Sequence, residues 1–328
     1  MLKLELSDAT KQLKKLRAKK VFLQVPEGLK TKTEGIIAEL EEKGFEVVTS
    51  MDPCFGACDL KQDEAKRMEC DAILHLGHTE FVKKTSVPAV YAPLKYELGE
   101  RFERILKVIT EYLQDEKIEE VCIVTTAQFL DYLPLLKKEL EKSKVKVRIE
   151  KGKRVEEGQI LGCNYSAAET NAPTIIYFGD GLFHPLGIHF ATGKKVLIAN
   201  PIDLQIRPLE EEKDDFFRKR IMLIERAKEA KSYAILVSTK EGQNRASEAE
   251  KIKKELEKKG KIARIYTMDF ISQEALLGIE AEAYINTACP RISIDDYLNY
   301  KKPIINYPEV EYLLGKKNYE KYKLELIY

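Results

Sequence analysis

Short β-branched, apolar runs alternate with charged stretches of helical period from one end of the chain to the other. The first cycle opens on a charged amphipathic helix, Ser7 to Lys19, followed by the strand VFLQVPEG (21–28). The helix TKTEGIIAELEEKG, the strand FEVVTS, a cysteine-bearing loop, the strand DAILHLGH (71–78) and the run VPAVYAP complete it. A second cycle has a helix near Leu98 to Leu113, then VCIVTTAQ (121–128), the helix LDYLPLLKKELEKSK, VKVRIE, another cysteine loop, TIIYFGDG (174–181) and KKVLIANP. The third runs from a helix over Glu210 to Ala230 through AILVSTKEGQ (234–243), RASEAEKIKKELEKKG and KIARIYT to AYINTACP (283–290) and KPIINYP. All three share helix–strand–helix–strand order and close on an apolar strand followed by proline: Pro93, Pro201 and Pro308. This predicts an α/β fold of three similar units, 1–97, 98–206 and 207–328, with parallel sheets arranged around a pseudo-threefold axis.

Ligands of open parallel sheets sit outside the carboxyl ends of the strands. The residues at those ends are Pro26-Glu27-Gly28, Thr126-Ala127-Gln128 and Lys240-Glu241-Gly242-Gln243, with His75 to His78, Gly179-Asp180-Gly181 and Asn286 to Cys289 further along. They are small, polar and rich in glycine, which suits backbone close to a ligand. The active site is expected at the centre that these ends share.

Composition narrows the partners. Of 328 residues 44% are apolar and 33% charged, and 55 basic side chains nearly cancel 54 acidic ones. That balance lacks the excess of positive charge that direct nucleic-acid binding usually shows. No apolar run approaches the roughly 20 residues of a membrane span, and the N-terminus has no apolar core or cleavage site of a signal peptide. The chain is therefore read as cytoplasmic, where six cysteines are better explained as core residues or metal ligands than as disulfides. Abundant Lys and Glu would suit a heat-adapted source.

Cys122, inside an apolar strand, and Cys70, between a helix and a strand, read as core thiols. Cys58, Cys163 and Cys289 lie in loops or strand ends, one per unit. Pro290 after Cys289 can begin a helix, whose N-terminus favours the thiolate that binds metal. Three converging thiolates suit a 4Fe-4S cluster with one open iron better than a structural zinc, which normally takes four ligands. Spacing alone leaves idle loop cysteines as the alternative. Cys54, in Cys54-x-x-x-Cys58, is a rival ligand, although Gly56 and Ala57 leave more room at Cys58.

The contexts GACD around Cys58, LGCN around Cys163 and ACPRISIDD around Cys289 resemble the archaeal diphthamide synthase family. So do PEGL (26–29), LHLGH (74–78), FGDGLFHPLG (178–187) and KEGQ (240–243), and the resemblance runs from about residue 20 to residue 309. It implies Cys58, not Cys54, as the first of three cluster ligands, with Cys163 and Cys289 as the others. It implies a three-domain homodimer and an atypical radical reaction on S-adenosylmethionine, fed by an electron donor. The bond broken is that to the aminocarboxypropyl chain, which is transferred to C2 of a histidine of translation elongation factor 2.

Within that frame Asp180, Gly181 and His184 could hold the methionyl ammonium or a ribose hydroxyl, or simply make a tight turn. Lys240, Gly242 and Gln243 could meet the methionyl carboxylate or the adenine, with a solvated loop lysine as the alternative. Glu27 and Gly28 lead into a helix N-terminus that favours anions, and Arg291 could tune the cluster's potential. His75, His78 and His189 read as structural. The rival functions are a quinolinate synthase-like iron–sulfur dehydratase and a non-catalytic cluster-binding scaffold or redox sensor.

Overall fold

Each of three sheets is built on four parallel strands in one and the same order. The structure, a computed structural model, describes residues 2–324; Met1 and residues 325–328, the outer ends of the first and third predicted units, lie outside them. The first sheet contains β1 (Leu2–Leu4), β2 (Lys20–Gln24), β3 (Glu46–Ser50), β4 (Ala72–Gly77) and β5 (Ala89–Tyr96), in the order β1-β5-β4-β2-β3. The second contains β6 (Glu120–Thr125), β7 (Lys146–Arg148), β8 (Thr174–Phe178), β9 (Lys195–Asn200) and β10 (Gln205–Pro208), in the order β10-β9-β8-β6-β7. The third contains β11 (Ser232–Ser238), β12 (Ile262–Met268), β13 (Ala283–Asn286) and β14 (Ile304–Asn306), in the order β12-β11-β13-β14. Read from its fourth parallel strand, every sheet runs fourth, third, first, second. The expected α/β class with parallel sheets is therefore what forms.

The helices are α1 (Ser7–Lys15), α2 (Thr33–Glu42), α3 (Gln62–Arg67), α4 (Glu100–Asp115), α5 (Leu133–Lys142), α6 (Phe183–Thr192), α7 (Glu211–Lys228) and α8 (Ala246–Lys258), with shorter turns between them. Each long helix buries one stripe at helical spacing, such as Ile105, Ile109 and Leu113 of α4 or Ala249, Ile252 and Leu256 of α8. Parallel strands covered on both faces carry continuous apolar runs, and β4 and β8 are buried at every residue.

Five local expectations change. The N-terminus does not enter a helix directly: β1 pairs antiparallel with β5, Leu2 opposite Tyr96. Leucines at positions 2, 4 and 6 already carry a period of two, which the charged helix behind them obscures. α1 then stops at Lys15, ahead of Arg17 with its φ of +58°. β10 is a second antiparallel edge, on β9. The strands VFLQVPEG and VCIVTTAQ end early, at Gln24 and Thr125, and tight 3-10 turns over Glu27–Lys32 and Ala127–Tyr132 lead into α2 and α5. Finally, FHPLGIHFAT, for which no element was expected, forms α6.

The chain forms two compact units. The first comprises residues 1–98 with two loops from later in the chain, 127–129 and 240–242; the second comprises the remainder. The first unit holds the first sheet over a core that includes Leu13, Leu23, Leu40, Leu74 and Leu76. The second holds the other two sheets, with cores around Val124, Ile175 and Ile188 and around Leu223, Ile224, Ile235 and Ile285. Among the described residues no helix is long and apolar enough to cross a membrane.

The second unit also buries an ion pair. Arg220 of α7 is 1% exposed and Glu309 0%. Arg220 Nε donates to Glu309 Oε1 at 2.8 Å, Nη2 to Oε2 at 2.5 Å, and Nη1 to the carbonyl of Ser293 at 2.5 Å. Tyr322 and the Asn306 N–H also donate to Glu309, at 2.6 and 2.7 Å. Removing one partner of such a pair strands the other charge in the core. Arg220→Met is expected to lower the unfolding free energy by roughly 3–5 kcal/mol, and Arg220→Met/Glu309→Gln to recover part of it. Urea denaturation of both variants checks this; equal losses in the single and the double variant would contradict it.

Candidate functional site

Three cysteines stay partly exposed and three are buried, and the division follows the local structure. Cys122 is buried in β6 and Cys70 ahead of β4. Cys54, 1% exposed, receives a weak contact from Gln24 Nε2 at 3.5 Å. Its main chain is tied at both ends to Glu27: the Glu27 N–H donates to the Cys54 carbonyl at 3.2 Å, and the Cys54 N–H to Glu27 Oε1 at 3.3 Å. Burial, aided by the charge of Asp59, pushes its thiol up to about 11, away from the thiolate a metal needs.

Cys58 sits in the loop between β3 and α3. Buried Gln24, at the end of β2, grips this loop with both ends of its amide: Nε2 donates to the Asp59 carbonyl at 2.5 Å and Oε1 accepts from the Lys61 N–H at 3.3 Å. Gly242 donates its N–H to the Cys58 carbonyl at 2.9 Å. Lys240, in the same late loop, bonds the carboxylate of Asp59. Glu27 pairs with Lys30 at 2.5 Å, and a side chain at Gly28 would meet open space. Nearby, His75 Nε2 lies 3.1 Å from His78 Nδ1, while His75 Nδ1 is buried without a partner. Burial, then His78, holds His75 down to about 3, so the ring stays neutral.

In the second unit, Gly162 and Cys163 form the tip of a tight turn closed by mutual backbone bonds of Leu161 and Asn164, at 2.9 and 3.0 Å. Buried Asn164 repeats the amide grip, donating to the Lys153 carbonyl at 2.6 Å and accepting from the Ser166 N–H at 3.0 Å. Tyr165 donates its hydroxyl to the Gly162 carbonyl at 3.1 Å. A Cβ on Gly187 of α6 would lie 2.0 Å from that hydroxyl, so glycine is required there. Burial drives the Tyr165 phenol well up, and negative charge on Cys163 or Cys289 pushes the same way, which places both thiols in the field of one ring.

Cys289 precedes the short helix Arg291–Ile294. The third grip is Asn286, at the end of β13: Nδ2 donates to the Cys289 carbonyl at 2.8 Å and Oδ1 accepts from the Ala288 N–H at 3.0 Å. Arg291 lies 4.9 Å over the Phe183 ring and pairs with Asp295 at 2.7 Å. His184, half-buried, stacks on Tyr177 with centroids 5.8 Å apart, and burial followed by the charge of Arg291 lowers it to about 4. Asp180 makes the tight turn: its Oδ1 accepts from the Gly181 N–H at 2.7 Å and from Asn200 at 3.1 Å, and Gly181 has φ +79°. This turn borders a cavity of about 160 Å³ that Asn200, Asp203 and Arg207 also line. Gln243 offers its carbonyl to Arg245 at 3.2 Å.

The second unit thus gathers Cys163, Cys289, His184 and Arg291 around Phe183 and Tyr165. Gln24, Asn164, Tyr165 and Gly187 were not singled out from the sequence, and Asn286 was named only as one of the small polar residues at a strand end. Gln24 gave a further signal, as a polar residue in an apolar strand. Among the described residues no three His, Cys, Asp or Glu side chains gather as a single-ion site. A cubane, by contrast, takes its ligands on separate iron atoms. The donor set fits such a cluster: soft thiols, partly exposed, on turns that other residues hold in place.

A family model described as "Putative diphthamide synthesis protein" matches residues 25–323. The chain belongs to this family. It is 38% identical over 319 residues to the 2-(3-amino-3-carboxypropyl)histidine synthase of Pyrococcus horikoshii, covering 96% of this chain and 91% of that protein. With the enzyme of the same description from Methanocaldococcus jannaschii it shares 33% identity, over 94% of this chain and 87% of the other. The crystal structure of Dph2 from Pyrococcus horikoshii with a 4Fe-4S cluster superposes with a TM-score of 0.91 at 36% identity, covering 100% of this chain and 95% of that one.

The neutral His75 of this family member has a consequence in acid. Its folded pKa lies below the ordinary 6.5, so the unfolded chain binds the proton first as pH falls. The stability it contributes is complete above about 6.5 and is lost on acidification toward about 3, at up to about 1.4 kcal/mol per pH unit. His75→Gln is expected to flatten the pH dependence of urea unfolding in that window by this one-proton slope. Parallel profiles for variant and wild type would refute the assignment.

Proposed function

We propose that this chain transfers the 3-amino-3-carboxypropyl group of S-adenosylmethionine to a histidine of translation elongation factor 2, the first step of diphthamide biosynthesis. The observation that carries this reading is full-length similarity, 38% identity over 96% of the chain, to a 2-(3-amino-3-carboxypropyl)histidine synthase. The solved Dph2 with its 4Fe-4S cluster, matched over the whole chain, supports the cofactor. When bound, the cluster supplies the electron that cleaves the sulfur–carbon bond of the sulfonium.

The chain's own residues hold and orient. Cys58, Cys163 and Cys289 are the cluster's ligands, one from each predicted unit. Their partial exposure and soft donor chemistry support that choice over buried Cys54, Cys70 and Cys122. Asp180 has Oδ1 committed to its own turn, and its other carboxylate oxygen is suited to the methionyl ammonium or a ribose hydroxyl. His184, kept neutral by burial, adds no competing cation there. Gln243 is suited to the methionyl carboxylate or the adenine, and Arg291, two residues after Cys289, to tuning the cluster's potential. Glu27 and Gly28 shape the turn that covers Cys54. The protein acts in the cytoplasm as a homodimer and receives its electron from a separate donor.

Anaerobically reconstituted protein, reduced in the presence of elongation factor 2 and S-adenosylmethionine labelled in the aminocarboxypropyl chain, is expected to release methylthioadenosine and label one histidine. Quinolinate made from dihydroxyacetone phosphate and iminoaspartate, with no transfer of label, would overturn this in favour of the dehydratase. A cluster that forms and reduces without methylthioadenosine would favour the scaffold. For the ligands, Ala at Cys58, Cys163 or Cys289 should abolish the brown chromophore and cut the transfer rate by more than the roughly 10–100-fold that losing an outer-shell partner of a metal ligand costs. Ala at Cys54, Cys70 or Cys122 should keep both; loss of the chromophore in Cys54→Ala would contradict the assignment.

A further inference from the structure

One contact at the Cys58 turn does more than the transfer reaction itself requires. Lys240 is 8% exposed and Asp59 4%, and their side chains form an ion pair. Lys61 adds a second ammonium 3.9 Å from the other oxygen of Asp59. Charges this buried persist only where they are paired. The pair joins the residue next to Cys58 to the head of the 240–242 loop, and two residues on Gly242 donates its N–H to the Cys58 carbonyl. A Cβ at position 242 would lie 2.7 Å from Cys58 Cα, Cβ and O. The loop is therefore seated on the Cys58 turn at two points, ionically at Asp59 and through backbone at Cys58, with glycine the residue that fits between.

We infer that Asp59 and Lys240 are positioning residues for Cys58. Their ion pair draws the 240–242 loop onto the cysteine turn, and the Gly242 N–H then fixes the carbonyl from which the thiol's direction follows. Lys240 serves the ligand turn in this arrangement, and its ammonium is directed at Asp59 instead of at the methionyl carboxylate. The inference rests on the reading of Cys58 as a cluster ligand. Groups that orient a metal ligand typically change metal affinity by about 10–100-fold when removed.

The test uses the full chain. A single substitution strands a buried charge, so the informative variant is Asp59→Asn/Lys240→Gln, which removes both charges and keeps the shapes. Gly242→Ala, which pushes the loop from Cys58 with both charges retained, is the independent second variant. After anaerobic reconstitution with iron and sulfide, the rate at which a chelator strips iron is followed by loss of the chromophore. The thermal midpoint of the metal-free protein is measured alongside. Both variants are expected to lose iron about 10–100-fold faster than wild type while the double variant keeps its thermal midpoint. Wild-type rates in both variants, or a faster loss matched by an equal drop in the thermal midpoint, overturn the inference. Cys58→Ala separates the two levels. If it retains the chromophore, the ligand reading itself fails; if it loses the chromophore while the double variant retains iron as wild type does, only the present inference fails.

Discussion

Each cysteine turn is gripped by one buried amide that uses both of its ends. Gln24 spans the Asp59 carbonyl and the Lys61 N–H, Asn164 the Lys153 carbonyl and the Ser166 N–H, and Asn286 the Cys289 carbonyl and the Ala288 N–H. A buried amide left unpaired costs about 1–3 kcal/mol, so in each place the turn and the amide hold one another in a single arrangement. These bonds run through main-chain atoms and leave the fixing of the turn independent of the thiol. Under the proposed reading this suits a metal-binding turn, whose geometry is set before the metal arrives by groups that do not compete for it.

The sheets explain where the amides can stand. Gln24 closes the first strand of its unit and Asn286 the third strand of another, both at carboxyl ends where the strand hydrogen bonds run out and loops begin. Small residues let backbone close in: Gly242 against Cys58, Gly162 against Phe183, and Gly187 under the Tyr165 hydroxyl. The buried Arg220–Glu309 pair belongs to the same scheme, since Arg220 holds the Ser293 carbonyl in the short helix that follows Cys289. Polar groups buried this deeply are tolerated because they are fully engaged. They give the reactive side of each sheet a fixed shape where an apolar core would leave the loops free to drift.

Much of this was legible in the sequence and some was not. The alternation of apolar runs with helices of about three turns announced the α/β class, since strands covered on both faces are apolar almost throughout, as AILHLG of β4 is but for His75 and TIIYF of β8 but for Thr174. The neighbours of Cys58, Cys163 and Cys289 carried the family. What escaped depends on distant partners. Lys240 and Asp59 are 181 positions apart, and nothing in either local sequence says that one will neutralise the other. Gly187 looks like a helix-breaking residue in FHPLGIHF until the Tyr165 ring is seen to occupy its missing side chain. The edge strand β1 was masked by the charged helix that follows it, and β10 was hidden because four residues are too few to show a period.

Under the proposed function, Cys58, Cys163 and Cys289 hold one cluster and leave one iron open to substrate. Mössbauer spectroscopy of protein reconstituted with 57Fe tests it most directly, recorded with and without S-adenosylmethionine. S-adenosylmethionine is expected to resolve one iron from the other three, and Cys58→Ala, Cys163→Ala and Cys289→Ala are each expected to give no such spectrum. Four irons that stay equivalent in the presence of S-adenosylmethionine, or an unchanged spectrum in any one of those variants, would contradict it.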